Sequence, residues 1–168
     1  ELQSRVVVAP LQPGDLDARA LRSAEVGRAV PLGHEGGLVG EHGAGGAEAV
    51  VGLGGGSSMD VAKLVAVLAH PSCEQPLHAM YGVGQVTAPR LPLVQVPTTA
   101  GTGSEVTPIS ILTTGECEKK GIVSPALLPD VAVLDGELLA TVPRHVAAAT
   151  GIDAMVHAIE AYTSARKN

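Results

Sequence analysis

A run of three glycines between a predicted strand and a predicted helix constrains this chain more than any other feature. Residues 49–53 are apolar, as in a buried strand, glycines occupy positions 54–56, and apolar residues at helical spacing run from 59 to 68. This order of elements directs backbone N–H groups and the positive end of a helix toward an anion. Glycine suits the turn because a Cβ would keep a phosphate away from the backbone. The pattern predicts a phosphate-binding turn, and a plain tight turn is the alternative.

The start of the helix is also predicted from the sequence. Ser57 and Asp60 have the Ser-x-x-Asp spacing of a capping box, which predicts where the helix begins. The glycines do not form the G-x-G-x-x-G dinucleotide fingerprint, because no glycine stands where its third would fall. The glycine turn therefore needs support from other parts of the chain.

A loop rich in threonine, glycine and serine follows a second predicted strand. The strand covers residues 91–96, and the loop, Pro-Thr-Thr-Ala-Gly-Thr-Gly-Ser-Glu, covers residues 97–105. Small hydroxyl side chains can donate hydrogen bonds to a phosphate or to the nicotinamide carboxamide, and they leave room for a flat ring. Beside a glycine turn on a neighbouring strand, we interpret this loop as the second part of a cofactor site. A plain Ser/Thr-rich turn is the alternative.

The rest of the chain alternates predicted strands and helices before it becomes helical. Strands are predicted at 5–9, 107–113, 120–124 and 130–135, and helices at 15–28 and from Pro143 onward. The strands at 107–113 and 120–124 flank a Thr-Gly-Glu turn and predict a hairpin. We therefore expect an α/β domain over residues 1–141 and the beginning of an all-helical domain over 142–168.

Asp153 and His157 are candidate metal ligands. They are four residues apart in a predicted helix, so both side chains leave one face about one turn apart. Carboxylate oxygen and imidazole nitrogen suit a divalent metal. The neighbours Ala154, Met155, Ala158 and Ile159 are expected to form a dry wall around the two ligands. In the alternative interpretation, Asp153 is a carboxylate in the first turn of the helix and His157 a half-buried histidine.

Three motifs in this order resemble the iron-containing (group III) alcohol dehydrogenase family. They are the glycine turn with its helix, the loop at 97–105, and Gly-Ile-Asp-Ala-Met-Val-His-Ala-Ile-Glu-Ala-Tyr at 151–162. The resemblance runs from about Ala47 to Ser164, and residues 1–46 match poorly. It implies a Rossmann-like nucleotide-binding domain followed by the start of an all-helical metal-binding domain. The chain begins with Glu1 and stops within a helical pattern, so we expect a truncated N-terminal part of such a protein.

The resemblance also implies the cofactors and their contacts. These are NAD or NADP, and Fe²⁺ or in some members Zn²⁺, which polarises the alcohol oxygen. The expected cofactor-binding residues are Gly55, Gly56, Ser57, Ser58, Thr98, Thr99, Thr102, Thr107 and Lys119. The expected metal ligands are Asp153 and His157. Family members add two histidines from later helices, and no earlier histidine here has a matching context, so we expect an incomplete metal site and no turnover.

Three functions are compatible with these motifs. The first is reversible NAD(P)-dependent oxidation of a small alcohol to an aldehyde or ketone. The second is a maleylacetate reductase-like oxidoreductase, against which Asp153 and the Ala-Gly-Thr-Gly-Ser run at 100–104 argue. The third, from another class, is a non-catalytic remnant or nucleotide-binding fragment.

Composition narrows the setting in which the chain works. A net charge of −6 without a basic cluster argues against a nucleic-acid partner, and no apolar run approaches the length of about 18 residues that a membrane span needs. Cys73 and Cys117 form neither a disulfide framework nor a zinc spacing, which favours reduced thiols and a cytoplasmic location. The resemblance adds a homodimer as the expected assembly.

Overall fold

The computed structural model describes the backbone of residues 5–9 and 29–30, and residues 48–114 and 118–165 in full. The strands are β1 (Arg5–Ala9), β2 (Ala29–Val30), β3 (Ala49–Gly54), β4 (Gly82–Val83), β5 (Leu93–Pro97), β6 (Ile109–Thr114), β7 (Glu118–Val123) and β8 (Val131–Ala132). The helices are α1 (Gly56–Leu68), α2 (Arg144–Thr163) and four short 3-10 helices at Leu77–Met80, Ser104–Val106, Pro125–Leu127 and Gly136–Leu139. The helix predicted at 15–28 lies outside the described residues.

A five-stranded sheet forms one layer, with the strand order β2-β1-β3-β5-β8. β3, β5 and β8 are parallel, whereas β1 is antiparallel to both of its neighbours. Gly54 at the end of β3 is in register with Pro97 at the end of β5. The glycine turn and the threonine loop therefore leave the sheet side by side, at the carboxyl ends where open α/β sheets bind ligands. The α/β prediction is confirmed.

Helix α1 packs between this sheet and a second, three-stranded sheet of order β4-β7-β6. On one side its Ala62, Val65 and Ala66 pack with Val50 and Leu93 of the large sheet. On the other side two further α1 residues join a cluster from β6, β7 and the connecting segments, made of Leu64, Val67, Met80, Leu112, Ile122 and Leu127, with Tyr81 packed against it. The hairpin of β6 and β7 is antiparallel, as predicted, and it forms the outer layer.

The strand predicted at 130–135 is shorter than expected. Only Val131 and Ala132 belong to β8, although the N–H of Val133 still donates to the Gln95 carbonyl of β5 at 2.9 Å. The chain then turns, because the Asp135 carboxylate accepts the Glu137 N–H at 3.0 Å and caps a 3-10 helix. Asp135, the last residue of the predicted strand, is thus a helix cap.

Helix α2 begins at Arg144, directly after Pro143, and has no buried residue. Its apolar side chains are open to solvent: Met155 is 64% exposed, Ile159 59% and Tyr162 79%. The expected dry wall around Asp153 and His157 is therefore wrong for the described residues. Within that part of the chain, no helix is both long and apolar enough to cross a membrane. The domain boundary near 142 stays a prediction.

Candidate nucleotide and metal site

The glycine turn presents backbone N–H groups to its surroundings. Gly55 is the N-cap of α1, and the carbonyl of Gly55 accepts from the N–H groups of Ser58 and Met59 at 3.1 Å. Within the described residues, the N–H groups of Gly55, Gly56 and Ser57 have no hydrogen-bond partner. Such first-turn amides, with the positive end of the helix dipole behind them, form a site for an anionic group.

The predicted capping box does not form. No side chain caps α1, and Ser57 is exposed at the surface. The Asp60 carboxylate turns away from the helix start and accepts the Ser104 hydroxyl at 2.6 Å and the Ile111 N–H at 3.0 Å. These partners, with a buried lysine ammonium beside them, satisfy the carboxylate better than a return to the helix start would.

Two threonines of the 97–105 loop lie against the glycine turn. A Cβ on Gly55 would lie 3.5 Å from Oγ1 of Thr99, and a Cβ on Gly56 would lie 3.0 Å from Cγ2 of Thr102. A Cβ at position 56 would therefore push Thr102 away by a few tenths of an ångström. The Thr99 Oγ1 atom is buried and has no hydrogen-bond partner among the described residues. A buried hydroxyl without a partner costs stability, so its position beside unpartnered amides fits a ligand that would satisfy both.

The other residues expected to bind the cofactor are placed differently. Thr98 uses its N–H to donate to the Gly54 carbonyl at 2.9 Å, which joins the loop to the end of β3. The Thr107 hydroxyl accepts from Lys63 at 3.3 Å, so it already has a partner within the protein. Ser58 is buried in α1, and Lys119 is exposed on β7, opposite Thr113. The structure brings Gly55, Gly56, Ser57, Thr99 and Thr102 together and keeps Lys119 on the hairpin.

Lys63 is the important residue that the sequence interpretation missed. Its side chain is fully buried, and its Nζ donates to Ser104 Oγ at 2.9 Å and to the Ile109 carbonyl at 2.6 Å. Nζ also lies 3.3 Å from Asp60 Oδ1. Burial lowers the pKa of Lys63, and the neighbouring Asp60 carboxylate opposes that shift. A signal was present, because Lys63 is four residues after Met59 and so falls on the face of α1 that its apolar spacing predicts to be buried.

The threonine loop also touches helix α2. A Cβ on Gly101 would lie 1.9 Å from the carbonyl oxygen of Thr150, so the two backbones are in contact and only glycine fits. Val146, Thr150 and Asp153 are the partly buried residues of α2 and share one face of the helix. The candidate metal ligand Asp153 therefore shares a face of α2 with Thr150, which contacts the threonine loop.

Asp153 and His157 are close together, as their spacing predicts. His157 Nε2 lies 3.7 Å from Asp153 Oδ1, and the two side chains are 53% and 47% exposed, respectively. Two donors that each bind one ion at about 2.1 Å lie at most about 4.2 Å apart, so this distance fits a shared metal. α2 begins nine residues earlier, which excludes the alternative of a first-turn carboxylate. Among the described residues, no group of three or more potential ligands forms.

Comparison with protein families matches residues 38–136 to the family described as iron-containing alcohol dehydrogenase. The match covers the glycine turn and the threonine loop, and it ends before the helix that carries Asp153 and His157.

Curated relatives agree with this match. The chain is 45% identical over 118 residues to sulfoacetaldehyde reductase of Bilophila wadsworthia, which is 70% of this chain and 30% of that protein. It is 48% identical over 116 residues to long-chain-alcohol dehydrogenase 1 of Geobacillus thermodenitrificans, covering 68% and 29% of the two chains. The chain thus spans about a third or less of the length of these relatives.

Solved structures share the fold. A 1,3-propanediol oxidoreductase superposes with a TM-score of 0.67 at 41% identity, over 73% of this chain and 32% of that one. Sulfoacetaldehyde reductase from Bifidobacterium kashiwanohense, solved in complex with NAD⁺, gives a TM-score of 0.64 at 42% identity over 70% and 31% of the two chains.

Proposed function

The chain belongs to the iron-containing alcohol dehydrogenase family, and on that premise we propose that it carries the nucleotide site and one side of the metal site of an NAD(P)-dependent alcohol dehydrogenase. The reaction is reversible oxidation of a small primary or secondary alcohol to an aldehyde or ketone. The observation that carries the proposal is the buried, unpartnered hydroxyl of Thr99 beside the unpartnered amides of the glycine turn. An anionic, hydrogen-bonding ligand that lies between these groups would pair both of them.

The residues of the turn would bind the pyrophosphate. The amides of Gly55, Gly56 and Ser57 donate to phosphate oxygens, and the Thr99 hydroxyl donates from the opposite side. The side chain of Thr102 lies next to Gly56, on the same side of the turn. Because the net charge of the chain is −6, the attraction for an anionic nucleotide is local and comes from the start of α1.

Asp153 and His157 would hold the divalent ion, Fe²⁺ or Zn²⁺. When bound, such an ion supplies Lewis-acid polarisation of the alcohol oxygen. Both side chains are about half exposed, and the described residues bring no third ligand to them. We therefore infer that these 168 residues alone bind metal weakly and do not turn over.

A nucleotide titration tests the first half of this proposal. NADH and NADPH are titrated into the chain while the fluorescence of the reduced nicotinamide is followed, and we expect a micromolar Kd for one of them. Gly56→Val should weaken binding by about tenfold or more, because its methyl groups enter the space that Thr102 borders. Gly136→Val is the matched control, since a Cβ there meets nothing within 4 Å. Absence of binding together with aggregation would favour the non-catalytic remnant.

A metal titration tests the second half. Co²⁺ serves as a spectroscopic probe, and we expect weak binding that His157→Ala abolishes. His145→Ala, an exposed histidine in the first turn of the same helix, should leave it unchanged. Turnover of an alcohol above background, restored by added metal and removed by a chelator, would contradict the inferred lack of activity.

The relatives support the alcohol dehydrogenase over the maleylacetate reductase alternative, because their names describe alcohol dehydrogenases and aldehyde reductases. The homodimer and the cytoplasmic location stay predictions from the sequence. The choice between NAD and NADP is decided by the titration above.

A further inference from the structure

We propose that Lys63 and Asp60 are positioning residues for the nucleotide, because they fix the threonine loop against the glycine turn. This inference rests on the proposed function. Neither side chain is exposed enough to reach a ligand freely: Lys63 is fully buried, and the Asp60 side chain is 14% exposed. Their effect on the nucleotide passes through the loop that they hold.

The loop has a hydrogen-bonded anchor at each end, and between them Gly101 contacts the Thr150 carbonyl of α2. At its start, the N–H of Thr98 donates to the Gly54 carbonyl at 2.9 Å. Between Thr98 and Ser104 the chain contains two glycines with positive φ, Gly101 and Gly103, which contribute no side chain to packing. Thr99 and Thr102 lie in this stretch, so their positions depend on the two ends and on the contact of Gly101 with Thr150.

The second anchor is the buried ion pair. Ser104 Oγ lies 2.9 Å from Lys63 Nζ and donates to Asp60 Oδ1 at 2.6 Å, so it contacts both charged groups. The Ser104 N–H in turn lies 3.4 Å from Thr102 Oγ1. A continuous chain of contacts therefore leads from the ion pair through Ser104 to the threonine beside Gly56.

The same pair ties the following strand to α1. Lys63 Nζ donates to the Ile109 carbonyl, Asp60 Oδ2 accepts the Ile111 N–H, and the Asp60 carbonyl accepts the Ser110 hydroxyl at 2.9 Å. One turn of α1 thus holds residues 104–111 at several points. A buried ion pair can often be replaced by apolar groups without loss of stability, so its value here lies in the geometry that it imposes on the loop.

The test removes both charges while it keeps the shapes of the side chains. Lys63→Met/Asp60→Asn should keep its Tm within about 4 °C of the unmodified chain. The Kd for the reduced nucleotide should rise by about tenfold, because the loop hydroxyls no longer stay in place. Amide hydrogen exchange in residues 98–107 should accelerate while that of β3 and β5 does not. Lys120→Met/Glu118→Gln, the same change in an exposed ion pair of β7, is the matched control and should alter neither quantity.

Three outcomes overturn the inference, and they are distinguishable. If the double variant binds within twofold of the unmodified chain and exchange at 98–107 is unchanged, the pair does not position the loop. If exchange rises equally in β3 and β5, the pair only stabilises the fold. If the unmodified chain binds no nucleotide, the proposed function fails first and this inference fails with it.

A second variant decides the matter if the double variant does not fold. Ser104→Ala removes only the hydroxyl that connects the ion pair to the loop, and Lys63 and Asp60 keep each other. We expect a three- to tenfold rise in Kd, about the effect of one hydrogen bond, with local acceleration of exchange at 98–103. Unchanged affinity in this folded variant would overturn the inference.

Discussion

Helices α1 and α2 are both rich in apolar residues, but their surroundings are opposite. Eight of the thirteen residues of α1 are buried, including a lysine. None of the twenty residues of α2 is buried, although it carries Ile152, Met155, Ile159 and Tyr162. α1 lies between two sheets, whereas α2 meets the threonine loop through the contact of Thr150 with Gly101.

This difference separates the two halves of the candidate site. The glycine turn and its threonines belong to a packed body in which a buried ion pair fixes the loop. Among the described residues, Asp153 and His157 have no support beyond their own helix and its contact with the threonine loop. Preorganised groups bind with a smaller loss of conformational entropy, so we expect the nucleotide half to work in isolation and the metal half to bind weakly.

The largest effect should come from a pair of glycines, Gly52 in β3 against α1 and Gly151 within α2. A Cβ on Gly52 would lie 2.2 Å from Gln95 Oε1 and 2.8 Å from the Cβ of Ala62, so Gly52→Ala should lower the free energy of unfolding by about 2–3 kcal/mol. Gly151→Ala in α2 meets nothing within 4 Å and should raise it by about 0.5–1 kcal/mol. Urea unfolding measures both. If both changes lower the free energy of unfolding equally, the surroundings of α1 and α2 are not packed differently.

The contact between the halves can be broken at Gly101. Gly101→Ala places a methyl group against the Thr150 carbonyl and should cost about 1–3 kcal/mol at that contact. We expect faster proteolysis within α2 and unchanged hydrogen exchange in β3. Gly121→Ala on β7, where a Cβ meets nothing within 4 Å, is the control. If proteolysis of α2 stays at the level of this control, the contact does not hold the helix.

Thr99 tests whether the nucleotide half is built for a ligand. Thr99→Val removes a buried hydroxyl that has no partner among the described residues, so the free energy of unfolding should stay equal or increase. The nucleotide Kd should rise by about fivefold, the effect of one lost hydrogen bond of about 1 kcal/mol. Thr113→Val on the exposed side of β6 should change neither. A clear decrease in the free energy of unfolding of Thr99→Val would show that the hydroxyl stabilises the folded chain.

The smallest effect is a pH dependence of stability, and it comes from the Arg90–Asp130 ion pair beside β5. Arg90 donates to the Asp130 carboxylate and holds the pKa of Asp130 below its ordinary value of 3.8, and the Leu93 N–H contributes. The folded-state pKa is lower than the unfolded one, so this stabilisation is present above about pH 4 and is lost as pH falls through the folded value.

Asp130→Asn should therefore lower the Tm slightly at pH 7. The Tm of this variant should also decrease less than that of the unmodified chain when the pH is lowered to 2. The effect is small because the carboxylate is 51% exposed. Thermal unfolding from pH 2 to pH 7 measures it, with Asp135→Asn as the comparison carboxylate. If the Tm of Asp130→Asn falls between pH 7 and pH 2 as much as that of the unmodified chain, the Arg90–Asp130 pair is not the source of the pH dependence.

The sequence predicted the local features of the site well. The strand, glycine turn and helix at 49–68 are where the pattern places them, because a glycine run and apolar spacing act over neighbouring residues. Parallel pairing of β3 and β5 then brings Thr99 to Gly55. The common face of Asp153 and His157 follows from helical spacing alone.

Long-range polar contacts could not be read from the sequence. The local pattern Ser-x-x-Asp predicts that Asp60 caps the helix, but its carboxylate accepts hydrogen bonds from groups 44 and 51 residues later in the chain. No local rule places Lys63 beside Ser104, 41 residues away. The exposure of α2 was missed for a related reason: spacing shows which face is apolar, but it does not show what covers that face.

The placement of the two tyrosines gives this chain an optical label in each region. Tyr81 packs against the cluster under α1, Tyr162 is 79% exposed on α2, and the chain has no tryptophan to obscure their emission. Iodide should quench the fluorescence of Tyr162 strongly and that of Tyr81 weakly. Burial of α2 by another protein surface can therefore be followed by the intrinsic fluorescence of Tyr162, without a dye and without a substitution.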